Sequence, residues 1–261
     1  MARLPLEELW LAEAPKPSWI IPQIMVEGQM LVMAGDAGVG KSFLALTWAH
    51  HLATGTPILE TQVPPQRVLY FNEENSWWDM REYVRWARFS MNGISETVLV
   101  DNLRVEQMTL QQSPHWYLAL RQVIAEHQPR LIVIDTATPA CGIVDEDDNG
   151  EANVAIRHLR QGLMAGAPGC GMLILKHAKI IAKGEDRTIR GAKMWKGACD
   201  GLIFHTKAAG RPRMDGLHST YLWPEKTRAF GLRDRILITP QKMTDSAGNV
   251  GILLASFGAG K

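Results

Sequence analysis

Four short apolar runs punctuate the first two thirds of the chain: Met30 to Ala34, Val68 to Phe71, Leu131 to Asp135 and Met172 to Lys176. They are nearly continuous rather than alternating, which predicts strands buried on both faces. Between them the apolar spacing changes to a helical period. Lys41 to Leu52 predicts one helix, and Trp77 to Phe89 another behind a Ser76 cap. Ser113-Pro114 opens a third that runs to about His127, and Glu151 to Met164 a fourth. Strands alternating with helices predict an α/β fold with a mostly parallel sheet and helices on both faces. After Gly201 the runs Leu202–Thr206, Thr220–Trp223, Ile236–Thr239 and Gly251–Ala255 are separated by turn-rich stretches. These predict mostly antiparallel strands that extend the sheet edge. At the other end, Leu4, Leu6, Leu9, Trp10 and Leu11 sit among charges before APKP breaks the pattern. Residues 1–18 are expected to form an arm, lying on the protein's own sheet edge or on a neighbouring protomer. Residues 19–261 are expected to form one domain.

Composition narrows the picture. With 261 residues and 46% hydrophobic content, the chain can bury a substantial core. A net charge of +1 means that any nucleic-acid surface must be a local patch. Cys141, Cys170 and Cys199 are widely spaced and make no metal pattern, as expected of reduced thiols. No apolar run approaches the roughly 18 residues of a membrane span. Glutamates stand where a signal peptide needs an apolar core, so the expected location is cytoplasmic, away from the membrane. Asp145 to Gly150 begins like a calcium loop, but Ile156 stands where such a loop needs its bidentate glutamate. An acidic surface loop that caps the next helix is the simpler expectation.

The chemistry concentrates at strand ends. Gly35-Asp36-Ala37-Gly38-Val39-Gly40-Lys41-Ser42, followed by Phe43, matches GxxxxGK[ST] in full between an expected strand and an expected helix. Glycines let backbone N–H groups turn inward around phosphate oxygens, and the helix aims its positive end at them. In such a loop Lys41 reaches the β- and γ-phosphates of ATP, and the Ser42 hydroxyl coordinates Mg²⁺. Asp135, ending four apolar residues at the carboxyl end of a buried strand, is the second Mg²⁺ candidate. VLYFNEENS places Glu73 and Glu74 at another strand end, where either could orient a water.

The combination GDAGVGKS, VLYFNEENS, LIVIDT and LILKHA, in that order, resembles the RecA-like ATPases. It is most similar to the plasmid RepA-type replicative helicases, and more distantly to DnaB. The resemblance implies a RecA-like P-loop core with Glu74 as catalytic base. It implies that His177, at the end of the fourth apolar run, senses the γ-phosphate. It also implies that Lys226 and Arg228 of the KTR turn reach a neighbour's γ-phosphate, so that the active form is a homo-oligomer, a hexameric ring. The segment from Lys176 to Gly197 carries seven cations against two carboxylates. In RecA-like proteins this region follows the DNA backbone. Lys179, Lys183, Arg187, Arg190 and Lys193 are therefore the candidates for contact with single-stranded DNA. A DNA-dependent helicase is the leading expectation. A recombination or repair ATPase without unwinding, and a regulatory nucleotide-binding module controlling a protein partner, remain open beside it.

Overall fold

The computed structural model describes residues 16–90, 96–107, 116–179, 188–189, 193–208, 216–228, 231–248 and 250–257. Residues 1–15 of the expected arm lie outside them, as do the expected helix start at Ser113-Pro114 and Lys183, Arg187 and Arg190. Two short strands, β1 (Trp19–Ile21) and β2 (Met25–Val26), pair antiparallel on their own. The main sheet contains β3 (Met30–Gly35), β4 (Val68–Asn72), β5 (Leu103–Gln107), β6 (Leu131–Asp135), β7 (Gly171–Lys179) and β9 (Gly201–Lys207), all parallel. To these are added β10 (Thr220–Thr227), β11 (Ile236–Thr244) and β12 (Val250–Phe257), each antiparallel to its neighbour. The order is β12-β11-β10-β9-β3-β7-β6-β4-β5, and β8 (Thr188–Ile189) pairs with the end of β7. This is the α/β architecture expected of a RecA-like core, extended by antiparallel strands at the C-terminal side.

Period-two alternation sorts the strand residues onto two cores. Val32, Leu69, Ile132, Ile174 and Leu202 face one, and Met33, Tyr70, Val133, Leu175 and Ile203 the other. The first is covered by α4 (Trp116–His127), α6 (Asn149–Arg157) and α7 (Lys193–Ala198). The second is covered by α1 (Lys41–Thr54) and α2 (Trp77–Ala87). A strand with both faces buried gains nothing from alternation in polarity, which is why these runs read as unbroken apolar stretches. The remaining short helices are α3 (Glu96–Asn102) and α5 (Ala137–Ala140).

Three elements differ from expectation. Leu202–Thr206, expected at the antiparallel edge, lies in β9, parallel to β3 and central in the sheet. The helix expected to span Glu151–Met164 is α6 followed by a wider π turn at His158–Leu163. From that turn Arg160 donates to the Ala198 carbonyl at 2.7 Å and to Asp200 Oδ2 at 2.8 Å. The basic segment contains α7, begun by Lys193, so that cation is helical and exposed. The acidic loop does cap a helix: Asp148 accepts from the Gly150 and Glu151 amides at the start of α6. The three cysteines are free and buried. Among the described residues no helix is long and apolar enough to cross a membrane.

Candidate nucleotide site

The carboxyl ends of β3, β4, β6 and β7 converge on one end of the sheet. There β3 gives way to the glycine loop and α1 begins at Lys41. Gly40 precedes α1 at φ 93°, a left-handed conformation that glycine reaches without a Cβ penalty. No side chain caps that helix start, so its first amides stay turned toward the loop. The Lys41 ammonium lies inside the loop and donates to the Gly35 and Asp36 carbonyls, each at 3.0 Å. Burial lowers its pKa, opposed by the charges of Glu74, Asp135 and Asp36.

Asp135 ends β6 fully buried. Its Oδ2 accepts from the Tyr70 hydroxyl at 2.7 Å and from Asn75 Nδ2 at 2.9 Å. The Tyr70 hydroxyl also lies 3.3 Å from the Ser42 carbonyl oxygen, tying β4 to the start of α1. Burial pushes the Asp135 carboxyl up to about 6, against the Tyr70 hydrogen bond that favours its charged form. Its Oδ1 has no hydrogen-bond partner among the described residues. A buried carboxylate oxygen without a donor suits a cation or a cation-bound water. The donor set Ser42 hydroxyl and Asp135 Oδ1, all oxygen, therefore fits Mg²⁺.

The NEEN turn after β4 is held by its own amides. Asn72 Nδ2 donates to the Asn75 carbonyl at 2.7 Å, and Asn72 Oδ1 accepts from the Asn75 amide at 3.1 Å. This turn presents Glu74, whose Oε1 meets His177 Nε2 at 3.2 Å. The His177 hydrogen bond, more than any other contact, holds the Glu74 carboxyl below the usual carboxylate range. Glu73 is fixed through its backbone, donating to the Asp135 carbonyl at 2.6 Å. The structure thus brings Lys41, Ser42, Glu74, Asp135 and His177 to one end of the sheet. Tyr70 and Asn75 also belong there. A tyrosine inside an otherwise apolar buried run was the available signal, because its hydroxyl must find a partner.

Beside the loop lies a cleft of about 340 Å³, lined on one side by Phe43, Tyr83 and Trp86 and on the other by Ile238, Pro240 and Leu254. The three aromatic rings pack at centroid distances of 5.8 to 6.0 Å. His205 lies at its floor, its Nε2 2.8 Å from Thr220 Oγ1, and burial pushes its pKa down to about 3, so the ring is neutral.

The remaining candidates sit elsewhere. Strand register places Thr220 opposite Lys207 and Thr227 opposite Gly201, so the KTR turn is at the far end of the sheet from the glycine loop. Lys226 donates to the Lys196, Gly197 and Cys199 carbonyls at 2.7, 3.0 and 2.7 Å, closing the C-terminus of α7. Arg228, 54% exposed, pairs with Asp200 Oδ1 at 3.0 Å. Lys179 ends β7 and Lys193 starts α7.

The fold is similar to that of a KaiC-like protein from the hyperthermophilic archaeon Pyrococcus horikoshii OT3. The match has a TM-score of 0.62 at 10% identity and covers 91% of this chain and 100% of that one. At that identity the likeness concerns the fold alone. The sequence matches the AAA-domain family over residues 3–181. That match spans more than half of the length, and with a complete glycine loop at the head of a RecA-like sheet the chain belongs to this family of P-loop ATPases.

Proposed function

We propose that this ATPase hydrolyses Mg²⁺·ATP with Glu74 orienting the attacking water, and that it works as a DNA-dependent ring, a replicative-type helicase moving on single-stranded DNA. The observation that carries the reading is the course of β7. His177 on that strand meets Glu74 at 3.2 Å, and two residues later the same strand reaches Lys179 and the run of cations. One strand thus joins the hydrolytic pair to the segment suited to a phosphate backbone.

Lys41 and the first α1 amides would hold the β- and γ-phosphates, and Ser42 and Asp135 the Mg²⁺. A divalent cation there would neutralise charge building on the phosphate oxygens. The base and ribose would lie in the cleft between Phe43, Tyr83 and Trp86 and the C-terminal strands, where planar rings meet apolar walls. Glu74 stays ionised beside His177, so it accepts a hydrogen bond from the water and aligns it with the γ-phosphate. His177 holds the carboxylate in place and reports loss of that phosphate to β7. Arg228 cannot reach its own glycine loop from the far end of the sheet. A role at the γ-phosphate is open to it only on a neighbouring protomer, which is the reason for proposing a ring.

The test is ATPase rate with and without single-stranded DNA, on protein sized by light scattering. Glu74→Gln should bind ATP and fail to hydrolyse it, with Glu73→Gln milder. Lys183, Arg187 and Lys193 changed together to Ala should weaken DNA binding and flatten its salt dependence while basal ATPase survives. A DNA-independent rate in a monomer would leave an ATPase that is not a helicase, and a dead Glu73→Gln would move the catalytic role by one residue.

A further inference from the structure

Lys176 immediately precedes His177 on β7 and points to the opposite core. It is 1% exposed, and its ammonium lies 4.8 Å from the centre of the Trp195 ring, with Thr138 Oγ1 3.4 Å away. Thr138, on α5 just past Asp135, donates to Glu146 of the acidic loop at 2.6 Å. Trp195 is the buried residue of α7, and its own indole N–H has no partner among the described residues. The loop after the Mg²⁺ aspartate and the helix after the basic segment therefore meet on one buried cation.

That cation is poorly served. An ammonium has three donors to satisfy, and among the described residues it has one long hydrogen bond and one ring face, with the Glu146 charge near it beyond Thr138. Burying a charge on such terms opposes folding, and an apolar side chain of similar length commonly packs as well or better. Packing alone gives no reason for a lysine here.

We propose that Lys176 is a positioning residue that grips Trp195 and Thr138 so that α7 and the loop after Asp135 move with the strand carrying His177. Two adjacent residues on one strand face opposite sides, so any shift of β7 that follows the Glu74–His177 pair is delivered through Lys176 to the other core. The far end of α7 is closed by Lys226, next to the Asp200–Arg228 pair, so the grip ends at the residue proposed to serve a neighbour. The inference rests on the ATPase reading, and its test separates the two.

The experiment compares wild type, Lys176→Met, Lys176→Arg and Thr138→Val. It measures thermal stability, kcat and KM for ATP, and hydrogen exchange in α7 with and without Mg²⁺ and a slowly hydrolysed ATP analogue. Lys176→Met should keep or raise Tm and keep KM, yet lose about tenfold in kcat. In wild type the analogue should protect both the glycine loop and α7, whereas in Lys176→Met only the glycine loop should respond. Lys176→Arg should recover part of both readouts. Thr138→Val, nearly isosteric, should show a smaller loss of the same kind, and it carries the test if Lys176→Met does not fold. A Lys176→Met protein of lowered Tm with normal kcat and a responsive α7 would overturn the proposal and make Lys176 a structural residue. A wild-type α7 that ignores the analogue while the glycine loop responds would overturn it alone. No protection of the glycine loop would overturn the nucleotide reading and this inference together.

Discussion

Burial raises the Asp135 carboxyl to about 6, well above the ordinary aspartate value. The sign of the consequence follows from proton counting. Between roughly pH 4 and 6 the unfolded chain has lost this proton while the folded protein still holds it, so stability from this group falls as pH rises through that window. Magnesium-free protein should therefore show a Tm that drops from pH 5 to pH 7.5, equivalent to ~1.4 kcal/mol, whereas Asp135→Asn should lack most of that drop. Thermal melts of both proteins across the range test it, and an equal drop in the two would assign the effect to other groups. At this scale the sequence is legible as far as its motifs extend. Lys41 and Ser42 stand in the glycine motif, and Asp135, Glu74 and His177 close or follow an apolar run, where a polar residue is conspicuous. Position does not give the roles of Tyr70, Asn75 and Lys176, because what singles them out is a partner far along the chain: Tyr70 finds Asp135 and Lys176 finds Trp195.

Among the elements, α2 has two tasks. Its first turn is fixed by Ser76 and Asp79, which bond each other's backbone amides, and this sets the exit of the turn that bears Glu74. Its body contributes Tyr83 and Trp86 to the cleft beside Phe43. If that cleft holds the base, Trp86→Ala removes a contact made equally in the ground and transition states. KM for ATP should then rise about tenfold with kcat little changed. Steady-state kinetics decide the matter, and a matching fall in kcat would place Trp86 in the chemical step instead. Legibility follows burial here too. The strands β3, β4, β6 and β7 stood out because both their faces are covered. The edge strand β5, with LRVEQ half-exposed, carries too little apolar signal to be seen. So does α7, whose sequence KMWKGA reads as a stretch of cations until Trp195 is found buried on the sheet. LIFHT identifies β9 as a strand but does not say which neighbours it pairs with, and its place beside β3 is set by the fold.

On the scale of the whole molecule, the separation of Arg228 from its own glycine loop makes a testable demand. If each active site takes Glu74 from one protomer and Arg228 from the next, Glu74→Gln and Arg228→Ala proteins should each be inactive alone. Mixed, they should regain part of the ATPase rate, rising with protein concentration. An in-trans arginine is worth roughly 10³-fold or more, so recovery should stand well above background. A fully active Arg228→Ala oligomer would reduce the Asp200–Arg228 pair to a fold contact. The appended strands have a consequence of another kind. At Gly251 of β12 a Cβ would lie 2.0 Å from the Phe89 ring, so this strand seats directly against the segment that follows α2. With Leu254 it supplies a wall of the cleft, whereas Gly40 and Phe43 belong to the opening part of the sequence. A ribosome adding roughly 5–20 residues per second makes the phosphate loop some 10–40 s before it makes that wall. If that cleft holds the base, its place is completed only once β12 has been made, long after the phosphate loop, and firm capture of the nucleotide would wait for that strand.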